Sequence, residues 1–192
     1  MSHTSQTIRA FIAIPLPADA KDALTAAGDA LAAQLPPRSV RWVKPAQMHL
    51  TLHFLGDTAV SKLPALAAAL DQAAGGTPPL ALALHDLGCF PNRRRPRVIW
   101  VGLRGEVAGL TALHGRIGDA LAPLGWPPEE RPFQPHLTLG RVNDSRQLQG
   151  RAWDASIQPV AVPVTAVHLI ESQLRPGGPV YTIRHTSHLR RP

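Results

Sequence analysis

Apolar and polar side chains alternate along residues 7 to 14 (TIRAFIAI). Ile8, Ala10, Ile12 and Ile14 fall on one side and Thr7, Arg9, Phe11 and Ala13 on the other, the period of two that a strand imposes. Pro15 and Pro17 end the run. From about 18 to 35, Ala20, Leu24, Ala27, Leu31 and Leu35 then recur at helical spacing up to Pro36-Pro37. The same spacing predicts helices at about 61 to 74 (Leu63, Leu66, Leu70, Ala74) and 106 to 124 (Leu110, Leu113, Ile117, Leu121, Leu124). Short runs at roughly 39–43, 48–55, 80–87, 97–103, 135–142, 158–170 and 179–185, several rich in Val, Ile or Thr, predict strands. The prolines sit mostly at their edges, where a missing amide donor costs no ladder bond. Pro123 to Pro135 is irregular enough to predict a mobile loop beside the next strand. The pattern is that of an α+β or mixed α/β protein.

Length and composition narrow the class. The 192 residues, 44% hydrophobic and 17% charged, suit one globular domain or one pair of similar lobes and exclude intrinsic disorder. No apolar run approaches the roughly 18 to 20 residues of a membrane span, and MSHTSQTIRA lacks the basic-then-apolar layout of a secretion signal. A soluble, cytoplasmic protein is expected. The single cysteine, Cys89, can form neither an internal disulfide nor a cysteine-based zinc site by itself. Lys and Arg outnumber Asp and Glu by 20 to 13, and this net charge of +7 attracts polyanions, nucleic acid among them. Many arginines cluster, at Arg93-Arg94-Arg95-Pro96-Arg97 and from Arg184 to Arg191, as surface patches.

One local pattern occurs twice. His49-Leu50-Thr51-Leu52 and His136-Leu137-Thr138-Leu139 are 87 positions apart, close to half the chain, and both lie in strand-like contexts, MHLTLHFL and PHLTLGRV. Alternation puts His and Thr on one face and the leucines on the other, so a buried leucine face fixes the backbone from which imidazole and hydroxyl project. A single copy is an ordinary half-buried strand sequence. A strand needs alternating polarity, however, and does not need His followed by Thr two residues later in both places.

Two opposed His-Thr pairs suit displacement at phosphorus. The attacking and leaving oxygens lie on opposite sides of the phosphorus, so a proton acceptor and a proton donor must face each other across it. Histidine titrates near neutral pH and can supply either, and each Thr hydroxyl can donate to a non-bridging oxygen as charge develops there. Neither a metal nor a covalent intermediate is required.

With these residues in view, the sequence resembles the two-histidine phosphoesterases, and within them the bacterial RNA 2′,3′-cyclic phosphodiesterases, also called 2′-5′ RNA ligases. The resemblance spans nearly the full length: RAFIAI (Arg9 to Ile14), RWVKPAQMHLTLHFLG (Arg41 to Gly56), FPNRRRPRVIWVGL (Phe90 to Leu103), FQPHLTLGR (Phe133 to Arg141) and LIESQLRPGGPVYT (Leu169 to Thr182). It implies an α+β fold of two pseudo-symmetric, intertwined lobes within one domain over residues 1–192. Antiparallel sheets line a central cleft and helices pack outside. It also implies metal-independent opening of a terminal 2′,3′-cyclic phosphate to a 2′-phosphate, without a cofactor, and weak ATP-independent 2′-5′ joining of RNA ends. The expected partner is RNA with a 2′,3′-cyclic phosphate end, with no membrane, and the chain is expected to be a monomer. His49 and His136 match the catalytic histidines, and Thr51 and Thr138 the phosphate-binding threonines. His49 is assigned to the leaving 3′ oxygen and His136 to water, an order the sequence does not distinguish from its reverse.

Other residues are expected to support RNA binding. Arg141 follows the second motif and can hold phosphate through its planar fork, although strict alternation puts it on the wrong face unless the strand bulges. Arg9 and Phe11 share a strand face and suit a phosphate and a nucleobase, with plain core packing the equal alternative for Phe11. His53 shares the face of His49 and Thr51 by alternation, as a partly exposed histidine or a support for the site. Trp42, Trp100 and Tyr181 are expected to be packing residues. Among nine histidines, His49 and His53 have the i, i+4 spacing of a helical zinc pair, but the segment alternates like a strand and lacks the glutamate of HExxH. The competing readings are a non-catalytic RNA-binding module, which does not explain two matched His-Thr pairs, and a phosphodiesterase for a small cyclic nucleotide.

Overall fold

A computed structural model describes residues 6 to 190. The first five residues, and Arg191 at the end of the second arginine cluster, lie outside that range. The helical periodicities become α1 (Ala18–Ala32), α2 (Leu63–Gly75) and α3 (Val107–Leu121), with single 3-10 turns before α2 and after α3. The buried residues are Ala20, Leu24, Ala27 and Leu31 on α1, Leu66, Leu70, Ala73 and Ala74 on α2, and Leu110, Leu113, Ile117 and Leu121 on α3, as the stripes predicted save that on α2 Leu63 is only half-buried and Ala73 joins the core side. Pro64 sits in the first turn of α2, where its missing amide costs nothing. No helix of the described residues is long and apolar enough to cross a membrane.

The strands are β1 (Thr7–Pro15), β2 (Val40–Trp42), β3 (His49–Ala59), β4 (Leu80–Phe90), β5 (Val98–Gly105), β6 (His136–Val142), β7 (Ala161–Val164), β8 (Ala166–Arg175) and β9 (Gly178–His188). They form two antiparallel sheets, ordered β3-β1-β8-β9 and β2-β6-β5-β4-β7. The class is α+β, as expected. The run expected at 158–170 is two strands in different sheets. Pro163 lies in β7, an edge strand where its missing donor is harmless, and the chain crosses at Thr165 to begin β8 beside β1.

One face of each sheet joins the helices in a shared core. Ile12, Ile14, Leu50, Leu52, Val167 and Leu169 enter it from the first sheet, and Ile99, Val101, Leu137, Leu139, Leu82 and Leu84 from the second. All four motif leucines are at most 4% exposed, and each contributes roughly 1.5–3 kcal/mol of burial. The two motif strands also pack against each other where the sheets meet. The opposite faces, away from the helices, carry the polar residues of both motifs.

Candidate active site

Each motif begins its strand, His49 at the first residue of β3 and His136 at the first residue of β6. Each motif strand pairs with one that leads into a helix, β3 with β1 before α1 and β6 with β5 before α3. The register then slips at the same place in both. Ala13 opposes Thr51 and Ile12 opposes His53, so Leu52 is an extra residue; Trp100 opposes Thr138 and Ile99 opposes Gly140, so Leu139 is another. Both strands therefore carry a β-bulge at the second motif leucine, which reverses the inward–outward alternation beyond it.

These bulges sort the later residues. Arg141 lies opposite Val98, two residues from the Trp100 that opposes Thr138, so it is on the face of His136 and Thr138 and is exposed. The bulge that strict alternation lacked is present. The bulge in β3 does the reverse to His53, turning it from the face of His49 and Thr51 to the helix side, where it is 7% exposed. There its Nε2–H donates to the His114 carbonyl at 2.9 Å. His53, His114 and Phe133 form a continuous ring stack, with centroids 4.1 and 4.0 Å apart. Burial holds His53 below the usual histidine range and brings His114 to about 4, the neighbouring His53 adding to the effect. His53 is thus a packing residue, neither exposed nor beside the motif pair. Its stack also pins the 123–135 loop through Phe133. The same loop is held at Trp126, whose Nε1–H donates to the Leu55 carbonyl at 2.8 Å and whose ring lies under Lys62.

Both motif histidines are half-buried between aromatic rings. His49 lies 4.7 Å from Phe11 and 5.3 Å from Tyr181 between centroids, and those two rings meet edge-on at 5.1 Å. His136 meets Phe90 edge-on at 4.9 Å and lies 6.3 Å from Trp100. Gly88 makes room for Trp100, since a Cβ there would overlap its ring. Tyr181 and Trp100, expected only to pack, wall the two imidazoles, and Phe90 joins them without having been singled out. Phe11 is on the face expected for it and touches His49, but it is 5% exposed and packed with Ala13, Ile170 and Tyr181, a wall of the site and not an open platform for a base; Arg9 is on that face too, exposed and directly opposite Asp57. Trp42 packs on the core side, against Gly28 and Gly140.

The second shared device is a glutamine two residues before each histidine. The ring Nδ1 of His136 donates to the Gln134 carbonyl at 2.8 Å. A carbonyl only accepts, so Nδ1 carries the proton and Nε2 of the neutral ring keeps its lone pair. At the matching position the Gln47 main chain favours the charged form of His49. The Gln47 side chain donates to the Pro179 carbonyl at 3.1 Å, fastening the β8–β9 hairpin that carries Tyr181. The sequence held this signal, because the repeat reads Gln-x-His-Leu-Thr-Leu at both places.

Charge at the site is unevenly distributed. Burial outweighs the Gln47 bond and lowers His49 to about 4, the Lys21 charge acting in the same direction, so the imidazole is neutral at pH 7. Burial pushes the Tyr181 phenol up, while the charge of Arg141 pulls it down, which places an arginine of β6 within electrostatic reach of the ring beside His49. Among the described residues, no three His, Cys, Asp or Glu side chains converge as metal ligands would.

The arginine clusters divide by role. Arg93 stacks on Trp153 at 4.5 Å and donates to its carbonyl at 2.7 Å, and Arg184 pairs with the buried Glu171 at 3.5 Å. Arg94, Arg95 and Arg97 are exposed on the turn after Phe90.

The family described as LigT-like phosphoesterase matches the chain twice, over residues 14–100 and 101–181. An RNA 2′,3′-cyclic phosphodiesterase of Methanothermobacter thermautotrophicus is 30% identical over 181 residues, 91% of this chain and 95% of its own. Another, of Geobacillus stearothermophilus, is 37% identical over 152 residues, 79% of this chain; the chain spans 45% of that protein's length. Among solved structures, a Thermus thermophilus protein superimposes with a TM-score of 0.80 at 30% identity, covering 96% of this chain and 99% of that one. Escherichia coli LigT complexed with 3′-AMP gives 0.76 at 29%, covering 97% and 100%.

Proposed function

This chain belongs to the LigT-like phosphoesterase family, and from that premise we propose that it is an RNA 2′,3′-cyclic phosphodiesterase working through His49 and His136. One observation carries the reading. Two strands with the same bulge present the same His-Thr pair, each imidazole two residues after a glutamine and walled by two aromatic rings. An RNA-binding module has no need of that duplication. We read the chain as one domain of two related lobes, acting in the cytoplasm as a monomer.

In the proposed reaction, water attacks phosphorus in line with the 3′ oxygen. The His136 Nε2 lone pair takes the proton from water, and His49 delivers one to the 3′ oxygen as its bond to phosphorus breaks, leaving the phosphate on the 2′ oxygen. Thr51 and Thr138 donate to the non-bridging oxygens, whose charge grows along the way. Arg141 and Arg9 bind the rest of the RNA, while Phe11 supports the His49 ring. With a 5′ hydroxyl attacking in place of water and the 3′ oxygen leaving as before, the same steps give weak 2′-5′ joining.

The test is hydrolysis of an oligoribonucleotide ending in a 2′,3′-cyclic phosphate, in excess EDTA, with identification of the product. A 2′-phosphate, formed at a rate the chelator leaves unchanged, is expected. An inert protein, or a 3′-phosphate product, overturns the reading.

A second prediction concerns His49, which is neutral in the free protein and must hold a proton to act as the donor. A phosphate anion beside a buried imidazole favours the charged form, so the pKa must move up from about 4 when phosphate binds, by about 1 to 3. Phosphate binding is then coupled to proton uptake, and a 3′-phosphate nucleotide should inhibit more tightly as the pH falls toward the raised value. Titration of the His49 ring proton by NMR, with and without saturating inorganic phosphate, reads the shift directly. An unmoved value excludes His49 as the donor.

A further inference from the structure

β2 and β6 place two arginines directly opposite each other, Arg41 of β2 against Arg141 of β6. Directly paired residues of an antiparallel ladder project from the same face, so Arg41 shares the face of Arg141, Thr138 and His136. Like charges in this position destabilise a sheet. Neither guanidinium has a carboxylate within ion-pair distance among the described residues. Arg146 with Asp144, Arg184 with Glu171 and Arg93 with Asp154 each do. Both Arg41 and Arg141 are exposed.

The strand does not require a cation here. The matching position of the other motif, five residues after its histidine, is Phe54, which is on the site face opposite Phe11 and 68% exposed. Phe54, Phe11, Ile170 and Ile183 oppose one another in a single row across all four strands of their sheet. One half of the site is apolar where the other carries paired arginines. A nucleotide chain has those two aspects, base faces and phosphates. Along β6, Arg141 is one pleat repeat, roughly 6.6 Å, beyond Thr138. The pair is therefore displaced along β6 from the phosphate that Thr138 serves.

We infer that Arg41 and Arg141 form a second anion subsite, which grips the phosphodiester linking the terminal nucleotide to the one before it. This makes the enzyme one for RNA ends and not for cyclic mononucleotides. The inference rests on the proposed phosphodiesterase activity. Two planar forks closing on one phosphate give charge-assisted hydrogen bonds that a lone terminal nucleotide cannot engage.

The experiment compares adenosine 2′,3′-cyclic phosphate with the dinucleotide ApA ending in a 2′,3′-cyclic phosphate, two substrates with the same reacting end. For the wild-type protein, kcat/KM is expected to favour the dinucleotide by roughly 10- to 100-fold. Arg41→Gln should collapse that ratio at least about tenfold, with Arg41→Lys between the two. The salt dependence of the dinucleotide reaction should also weaken in Arg41→Gln, by about 0.7 in log–log slope. Because the substitution removes a like-charge pair, Arg41→Gln should unfold at the same temperature as wild type or higher. A wild-type ratio near one, a ratio that Arg41→Gln leaves intact, or equal losses on both substrates with a lowered unfolding temperature would overturn the subsite and leave the phosphodiesterase reading standing. A wild-type protein inert on both substrates would overturn both.

Discussion

Replacing His49 or His136 by alanine is expected to lower the rate of cyclic phosphate hydrolysis on the order of 10²- to 10⁴-fold, without disturbing the fold. The two effects have different origins in the proposed mechanism. Without His136 no lone pair lies ready to take the proton from water, a readiness that the Nδ1 bond to Gln134 secures. Without His49 the 3′ oxygen must leave as an alkoxide. The imidazoles act in one displacement, so their losses should not add, and the double variant should be little slower than the worse single one. Neither ring supports the core. Both are half-buried on the site face, while the neighbouring leucines that anchor β3 and β6 lie in the core cluster. Unfolding temperatures near that of wild type, alongside single-turnover rates, check the prediction. A variant that keeps more than a tenth of the wild-type rate would remove that histidine from the mechanism.

How far the site could be read from sequence depended on the distance over which each feature is determined. Helix stripes are local, and α1, α2 and α3 appeared within a few residues of where the apolar spacing placed them. The duplicated motif is local too, and its leucines are buried as alternation requires. Alternation failed just beyond, at Leu52 and Leu139, because register belongs to a pair of strands. Nothing in HLTLHF or HLTLGR alone marks the slip that β1 and β5 reveal. That slip decided two residues in opposite ways, turning Arg141 onto the site face and His53 away from it. The aromatic walls were hidden for another reason. Phe11 and Tyr181 are far apart in the chain and meet at His49 only through the pairing of β1, β8 and β9, as Phe90, Trp100 and His136 meet through β4, β5 and β6. The glutamines were legible, since the repeat extends two residues upstream of each histidine, but main-chain bonding gives the side-chain type no evident role at Gln134.

The threonines offer a sharper test than the histidines of whether the two halves of the site act on one phosphate. Valine has nearly the shape of threonine and equal liking for strands, so Thr51→Val and Thr138→Val remove a hydroxyl and little else. Both side chains are half-buried on the site face, with the core on the other side of the strand, so stability should hold. In the cyclic ester the non-bridging oxygens share one negative charge. As water adds, that charge increases, and a fixed donor gains most at that point. Each substitution should therefore lower kcat by roughly 10²- to 10³-fold with KM changed far less. If each hydroxyl grips a different oxygen of one phosphorus, the losses in the double variant should multiply approximately, in contrast to the non-additive histidines. Steady-state kinetics on the four proteins separates the cases. A raised KM with kcat preserved would mean that the hydroxyls bind the ground state alone. A large effect at only one threonine would mean that the duplicated strands no longer share the work on the phosphate.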